Sequence, residues 1–203
     1  MCGFTGFVTR SAPPDEQALH AMGNTIRHRG PDGEGHYVDQ HCGIAHRRLS
    51  IIDLEKGQQP IVSPDGRYVI AYNGETYNFR QLREELTAKG HSFLTDCDTE
   101  VVLHGYMEWG AEVLKKLRGM FAFVIWDKER QELFGARDPF GIKPFYYAQM
   151  GELFFFGSEC KSFLPHPGFQ KELNPDALKL YLTFQYSALN ESFFKGVYRL
   201  LPG

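Results

Sequence analysis

A cysteine directly follows the initiator methionine, in a place where one residue can carry two reactive groups. If Met1 is removed, Cys2 becomes N-terminal and presents both a thiol and a free α-amino group. Their ordinary pKa values, roughly 8.5 and 7.7–8.0, allow the amine to take the thiol proton near neutral pH. The alternative is a small buried residue that opens a strand. Cys2 is therefore a candidate nucleophile with its own base.

Charged residues further along the chain could recognise the head group of an amino acid. Arg48 closes the strand-like segment 43–48, where a guanidinium can hold a carboxylate through two hydrogen bonds. Arg47 is equally basic and lies on the opposite face of the strand, so the spacing does not choose between them. A surface ion pair is the alternative for either arginine. Asp98 precedes a predicted helix and could be its N-cap or a partner for a substrate ammonium.

Two further segments combine polar groups with glycine. In Tyr72-Asn73-Gly74-Glu75, the Asn73 amide and the Gly74 N–H could converge on a developing oxyanion, although Asn-Gly is also a strong turn signal. The run Arg27-His28-Arg29-Gly30-Pro31-Asp32-Gly33 could form the wall of an anion pocket. Taken locally, it is more typical of a basic helix end followed by a tight turn.

The elements that must position these residues form a strand-rich mixture. The patterning predicts helices over 15–27, 78–89, 98–108 and 175–181, and strands over 3–8, 43–48, 68–73, 120–127, 132–136, 145–148 and 153–157. Because strands follow strands instead of alternating with helices, the predicted fold class is α+β.

The composition limits the classes of protein to which the chain can belong. Of 203 residues, 42% are hydrophobic and 23% charged, which is ordinary globular usage and excludes a disordered or collagen-like chain. A net charge of −3 gives no attraction to nucleic acid or to an anionic membrane. The longest apolar run, 120–126, is too short to span a bilayer, and no secretory signal is present, so we expect a cytoplasmic protein.

The cysteines and histidines do not indicate a metal or disulfide scaffold. Cys2, Cys42, Cys97 and Cys160 lie far apart without a Cys-x-x-Cys pair, and the histidines form no His-x-x-x-His cluster. We therefore predict no metal site. Buried packing is the expected role of the last three cysteines.

Taken together, the segments form an ordered series: MCGFTGF, RHRGPDG, AHRRLSIIDLEKGQQP, YNGETYN, TDCDTE, LRGMFAF, ARDPFGIKPFYY and GSECKSFL. The series resembles the N-terminal glutaminase domain of glutamine-dependent asparagine synthetases, which are class II amidotransferases and N-terminal-nucleophile hydrolases. It covers nearly all of residues 2–203. Departures are Phe4-Thr5 in place of Ile-Ala, and Thr76 in place of Ile. The resemblance implies a four-layer αββα sandwich, with two antiparallel sheets between helical layers.

The resemblance also implies roles for individual residues. Cys2 would attack the side-chain amide carbon of glutamine, while its α-amino group would carry the proton to the departing ammonia. Asn73 and Gly74 would form the oxyanion hole. Arg48 would hold the substrate α-carboxylate, and Asp98 with Glu75 its α-ammonium. The full set of expected substrate-binding residues is Arg48, Leu49, Ser50, Ile51, Ile52, Glu75 and Asp98.

The expected organisation is one glutaminase domain over residues 2–203. It is expected to be truncated at its C-terminal edge, because the chain stops at Pro202-Gly203 after a strand-like segment; a natural terminus is the alternative. No Ser-Gly-Gly-x-Asp-Ser loop occurs, so the ATP-dependent synthetase domain is expected to be absent, with ATP and Mg used only there and no cofactor in this domain.

The partners implied by the resemblance are L-glutamine, a synthetase domain that converts aspartate to asparagine with the released ammonia, and a second copy in a homodimer. A different N-terminal-nucleophile hydrolase that acts on other amides is the weakest alternative, because most such substrates lack the free amino-acid head that Arg48 and Asp98 would bind. Two further alternatives remain open. The chain could belong to another class II amidotransferase, or it could be a non-catalytic domain that binds glutamine or a partner if Met1 is retained.

Overall fold

Two antiparallel sheets lie face to face in the computed structural model, which describes residues 2–49 and 57–203. The strands in this part of the chain are β1 (Gly3–Thr9), β2 (Gly33–Val38), β3 (Cys42–Arg48), β4 (Ile61–Val62), β5 (Tyr68–Thr76), β6 (Gly119–Asp127), β7 (Glu132–Arg137), β8 (Tyr146–Met150), β9 (Leu153–Gly157) and β10 (Val197–Arg199). The first sheet has the order β10-β8-β9-β1-β3-β2, and the second has the order β4-β5-β6-β7.

Alternation along the strands separates the layers of the core. On β5, Val69 and Ala71 pack between the two sheets in one cluster with Phe4 of β1. Ile70 and Tyr72 point to the opposite face of the same strand. Because side chains alternate with a period of two, each sheet presents one face to its partner sheet and the other face to helices.

Helices cover both outer faces. The helices in the described residues are α1 (Glu16–Thr25), α2 (Phe79–Ala88), α3 (Asp98–Trp109), α4 (Val113–Lys116) and α5 (Pro175–Phe184). Leu19 and Met22 of α1 pack on the first sheet, while α2 and α3 pack on the second. The expected αββα sandwich is confirmed. Among residues 2–49 and 57–203, no helix is long and apolar enough to cross a membrane.

The predicted elements are confirmed with small differences at their ends. Helix α1 ends at Thr25 rather than residue 27, because a 3-10 helix takes over at Arg27–Arg29. Helix α5 continues to Phe184 instead of ending at residue 181. The sequence does not predict β2, β4 or α4. Strand β2 is half-buried almost throughout and shows no clear alternation, while β4 and α4 are too short to give a periodic signal.

Gly6 in the centre of β1 has no room for a side chain. A Cβ atom there would lie 2.3 Å from the Gly43 carbonyl oxygen and 2.5 Å from the Phe156 ring. We expect Gly6→Ala to lower the free energy of unfolding by about 1–3 kcal/mol, because a well-packed core must shift to admit the methyl group. Urea denaturation measures this. In the control Gly33→Ala, the methyl group would meet the flexible Gln58 side chain at 3.3 Å and would make an ordinary van der Waals contact with Arg48 Cβ at 3.8 Å. Equal losses in the two variants would contradict the packing argument.

Candidate active site

A cavity of about 300 Å³ opens at one end of the sandwich and holds most of the predicted site residues. It is lined by Cys2, Arg48, Leu49, Gly57, Gln59, Tyr72, Asn73, Gly74, Glu75, Cys97, Asp98, Thr99, Met120, Ile142 and Lys143. The structure thus brings together the predicted nucleophile, oxyanion donors and charged residues from distant parts of the chain. Ser50, Ile51 and Ile52, which were expected to line the pocket, lie outside the described residues.

Cys2 is held where β1 begins. The Leu49 N–H donates to the Cys2 Sγ across 3.3 Å, and Sγ lies 3.5 Å from the Leu49 carbonyl oxygen. On the backbone side, Arg29 Nε donates to the Cys2 carbonyl oxygen at 3.0 Å. Arg29 in turn pairs with Glu159 at 3.0 Å. The thiol and the main chain of Cys2 are therefore both fixed by hydrogen bonds.

Arg29 is a contact that local sequence reasoning missed. The run 27–33 favours a basic helix end, and its residues 27–29 do form a 3-10 helix. Glu159, from the segment GSECKSFL, bonds to both Arg29 and His28. A Cβ on Gly3 would lie 2.7 Å from Arg29 Cδ, so the glycine after Cys2 allows this close approach. Arg29 is oriented toward the Cys2 carbonyl oxygen by its ion pair with Glu159, and these two residues lie far apart in the sequence.

The side-chain amide nitrogen of Asn73 is a buried donor without a hydrogen-bond partner among the described residues. Asn73 is 1% exposed, and its Nδ2 atom has no hydrogen-bond partner among the described residues. It lies on β5 between the sheets and lines the cavity with Cys2. Leaving such a group unpaired costs about 1–3 kcal/mol, so an orphaned amide in the same cavity as a thiol indicates a place for a ligand oxygen.

The pairing of β5 with β6 leaves the Gly74 N–H unused. Gly74 lies opposite Phe121, whose N–H and C=O both bond to Asp138 on the other side of β6, at 3.3 and 2.8 Å. In an antiparallel ladder this makes Gly74–Phe121 a non-hydrogen-bonded pair, so the Gly74 N–H points away from β6. A Cβ at Gly74 would lie 2.4 Å from the Met120 carbonyl oxygen, which requires glycine here.

On that edge of β5, side chains replace a neighbouring strand. The Tyr72 N–H donates to Gln59 Oε1 at 2.7 Å, and the Thr76 N–H donates to Asp98 Oδ2 at 2.8 Å. The Gly74 N–H lies between these two and has no partner in the part of the chain that the structure describes. Two donors, one from a side chain and one from the backbone, thus border the cavity, as an oxyanion hole requires.

The structure resolves the choice between the two neighbouring arginines. Arg48 shares the inward face of β3 with Ile44 and lines the cavity. Arg47 points outward, where it donates to the Gly23 carbonyl oxygen at 3.2 Å and pairs with Glu34. Of the two arginines, Arg48 is therefore the one that borders the cavity.

Asp98 and Glu75 form the acidic wall of the cavity. Cys97, not Asp98, is the N-cap of α3, so the capping interpretation is wrong, and the Asp98 carboxylate bonds to Thr76 instead. Burial raises the pKa of Asp98 above its ordinary value. Burial, followed by the charge of Asp98, also raises the pKa of Glu75. Each carboxylate would be stabilised in its charged form by a bound ammonium.

Lys143 is a second cavity residue that the sequence did not single out. It is 4% exposed, and burial lowers the pKa of its ammonium, with the charge of Arg29 acting in the same direction. It lies in the segment DPFGIKPF, part of the series of motifs on which the family resemblance rests. The Asp-Pro-x-Gly spacing is typical of an ordered turn and was the available signal.

Of the other cysteines, Cys42 and Cys160 are in packing positions, whereas Cys97 also lines the cavity. Cys42 is fully buried between the sheets, Cys97 is buried at the start of α3, and Cys160 is half-buried against the first sheet. All three are free thiols. Burial raises the pKa of Cys160 to about 11, which makes it a poor nucleophile at neutral pH.

Comparison with known proteins agrees with this geometry. The family model described as "Glutamine amidotransferase domain" matches residues 1–203. The chain belongs to this family. It is 44% identical to asparagine synthetase [glutamine-hydrolyzing] 1 of Bacillus subtilis (strain 168), over 100% of the chain and 33% of the relative. It is 43% identical to a putative asparagine synthetase of Mycobacterium tuberculosis H37Rv, over 100% of the chain and 34% of the relative.

Among solved structures, the amidotransferase chain resembles the B. subtilis glutamine phosphoribosylpyrophosphate amidotransferase, with a TM-score of 0.68 and 23% identity. That match covers 86% of this chain and 46% of the other, and it shows the shared fold. The expected family resemblance is confirmed. The chain spans about a third of the length of the curated relatives it matches.

The two arginines provide a matched test of substrate recognition. We expect Arg48→Lys to raise the KM for glutamine roughly ten- to a hundredfold, equivalent to the 1.5–3 kcal/mol of a charge-assisted hydrogen bond, with little change in kcat. Steady-state ammonia release measures both constants. Arg47→Lys should leave the KM unchanged and affect only stability. Similar KM values for the two variants would exclude the assignment of Arg48.

The acidic wall predicts a pH dependence. Because the pKa values of Asp98 and Glu75 are raised, protonation removes the ammonium partners at a higher pH than for ordinary carboxylates. The KM for glutamine should therefore rise as pH falls, starting above the usual carboxylate range of about 4. Asp98→Asn should raise the KM at neutral pH and flatten the profile. A wild-type KM that stays constant down to about pH 4.3, the ordinary value for glutamate, would contradict this wall.

Proposed function

We propose that this chain hydrolyses L-glutamine to glutamate and ammonia, and that Cys2 is its nucleophile. The observation that carries the proposal is that the Asn73 amide and the Gly74 N–H, which have no partner among the described residues, line one cavity with the Cys2 thiol. An oxyanion hole next to a thiol suits acyl transfer from an amide. Membership of the glutamine amidotransferase family supports glutamine as the amide.

The residues of the cavity suit each end of glutamine. Arg48 would bind the α-carboxylate, while Asp98 and Glu75 would bind the α-ammonium. Leu49 would hold the thiol through its backbone groups. With the head group fixed in this way, the side-chain amide extends toward the nucleophile and the oxyanion donors.

The proposed reaction proceeds through a thioester. After removal of Met1, the Cys2 α-amino group takes the thiol proton, and Sγ attacks the amide carbon of glutamine. Asn73 and Gly74 stabilise the oxyanion; loss of one such donor typically costs about 2.7–4 kcal/mol. The ammonium of Cys2 returns the proton to the leaving nitrogen, ammonia departs, and the γ-glutamyl thioester remains. Water then attacks the thioester carbonyl, which releases glutamate and restores the thiol.

In the longer proteins of this family, we propose that the ammonia serves asparagine synthesis. This step is supported by the relatives named as glutamine-hydrolysing asparagine synthetases, at 44% and 43% identity. A synthetase part that uses ATP and Mg would activate aspartate and receive the ammonia at the β-carboxyl carbon. No cofactor is proposed for residues 2–203, and the homodimer stays a prediction from the family resemblance.

The test of the nucleophile is covalent labelling with 6-diazo-5-oxo-norleucine, a glutamine analogue, read by intact mass. We expect a chain without Met1 that gains one adduct at Cys2, and a Cys2→Ala variant that gains none and releases no ammonia. Cys160→Ala is the matched control and should label and hydrolyse like wild type, because Cys160 lies outside the cavity and its pKa is raised to about 11.

Retention of Met1 without an adduct would favour the alternative of a non-catalytic domain. In the full-length protein, Cys2→Ala should abolish asparagine formation from glutamine and preserve it from added ammonia. Loss of both activities would contradict the proposed division of labour, and amination of another acceptor would favour a different amidotransferase.

A further inference from the structure

Arg137, at the end of β7, joins two separate segments of the chain. Its Nε and Nη2 atoms donate to the carbonyl oxygens of Lys143 and Gly141, both at 2.6 Å. Its Nη1 atom donates to the Leu200 carbonyl oxygen, also at 2.6 Å. Within residues 2–49 and 57–203, no carboxylate forms an ion pair with Arg137. The planar guanidinium thus acts as a three-way link between carbonyl groups, a geometry that lysine does not reproduce.

The loop 138–143 that Arg137 holds is a wall of the active-site cavity. Ile142 and Lys143 line the cavity, and the backbone of Lys143 is fixed at both ends. Its carbonyl bonds to Arg137, while its N–H donates to Asp138 Oδ2 at 3.0 Å. The same Asp138 oxygen accepts the N–H of Phe121, the residue opposite Gly74.

The segment 200–203 closes onto this loop from outside. The Leu200 N–H donates to the Phe145 carbonyl oxygen at 2.9 Å, and the Gly203 N–H donates to the Asp138 carbonyl oxygen at 3.3 Å. Gly141 has a positive φ of 63°, and a Cβ there would lie 2.8 Å from Pro202. The loop and the segment therefore form one contact, with the guanidinium of Arg137 between them.

We propose that Arg137 is a positioning residue that couples the segment 200–203 to the substrate pocket. Holding the segment in place orients the guanidinium, which in turn fixes the carbonyls of Gly141 and Lys143 and so the wall formed by Ile142 and Lys143. Coupling is reciprocal, so glutamine in the pocket also stabilises the docked segment. In a longer protein, any contact that moves residues 200–203 would change glutamine binding through this link. The proposal rests on the glutaminase function proposed above.

A double-mutant cycle tests the coupling. The variants are Arg137→Met, a chain shortened to end at Arg199, and the two combined. Each single change should raise the KM for glutamine roughly fivefold or more, the usual scale of coupling between sites, with kcat nearly unchanged. The combined variant should be no worse than either single variant, because both changes break the same link. Multiplication of the two effects, or an unchanged KM, would overturn the proposal.

Two controls separate the link from general packing. Arg130→Met removes an exposed arginine from the β6–β7 turn and should leave the KM unchanged. Leu200→Ala removes the side chain but keeps the carbonyl that Arg137 binds, so it should retain the KM of wild type. If Leu200→Ala matches the shortened chain, lost packing explains the effect and the proposal fails. Arg137→Lys keeps the charge without the three-way geometry and serves if the methionine variant does not fold.

Hydrogen exchange provides a readout that does not need activity. The amides of Phe140, Ile142 and Lys143 all donate to Asp138. They should exchange faster in the shortened chain and in Arg137→Met than in wild type, while amides of β5 keep their protection. Unchanged exchange in the shortened chain would refute the coupling. Absence of glutamine hydrolysis in wild type, with the exchange pattern as expected, would instead contradict the proposed function.

Discussion

The candidate active site depends on the shortness of strand β4, which does not extend along the part of β5 that lines the cavity. Strand β4 pairs with β5 only at Ile70 and Val69, so the N–H groups of Tyr72, Gly74 and Thr76 lie along an edge that has no strand of residues 2–49 or 57–203 beside it. Backbone donors in such a position require partners. Gln59 and Asp98 supply two of these partners as side-chain oxygens, and the donor between them faces the cavity. A longer β4 would satisfy all three groups and remove the backbone donor that the proposed oxyanion hole uses.

Charge is distributed in the cavity to match an amino-acid head group. The cations Arg48 and Lys143 and the carboxylates Asp98 and Glu75 line one cavity. Burial raises the pKa of both carboxylates and lowers that of Lys143. The charged form of each of these three groups is therefore less stable in the empty cavity than it is in water. A zwitterion offers one charge of each sign to these groups. The same burial therefore favours amino acids over uncharged amides.

Local sequence patterns predict which strand a site residue belongs to, but the neighbouring strands and sheet decide which way its side chain points and where the strand ends. Alternation places Arg47 and Arg48 on opposite faces, but only the partner sheet shows which face is internal. Asn73 and Gly74 are on a predicted strand that runs past its expected end at 73 to Thr76, so the Asn-Gly pair is extended backbone and not a turn. The neighbouring strand β6 fixes this outcome, because its pairing continues to Gly119.

Contacts between residues that lie far apart in the sequence cannot be predicted from such local patterns. Arg29 and Cys2 are brought together by the packing of the first sheet, and Gln59 reaches β5 from a segment without periodicity. Asp138 gathers four backbone N–H groups around one buried carboxylate, and these bonds keep its pKa low although burial acts to raise it. The family resemblance supplies roles for whole motifs, but not for these individual contacts.

The rigidity of the core explains how an unsatisfied donor survives folding. A buried amide without a partner, such as that of Asn73, costs about 1–3 kcal/mol, and a flexible site would relax to pair it. Phe4, Phe145 and Phe156 pack edge-on or tilted between the sheets, with Phe4 two residues from Cys2. Close-packed aromatic rings resist such relaxation. The cost is recovered only when an oxygen of the right charge arrives, which is the condition for stabilising a transition state more than a ground state.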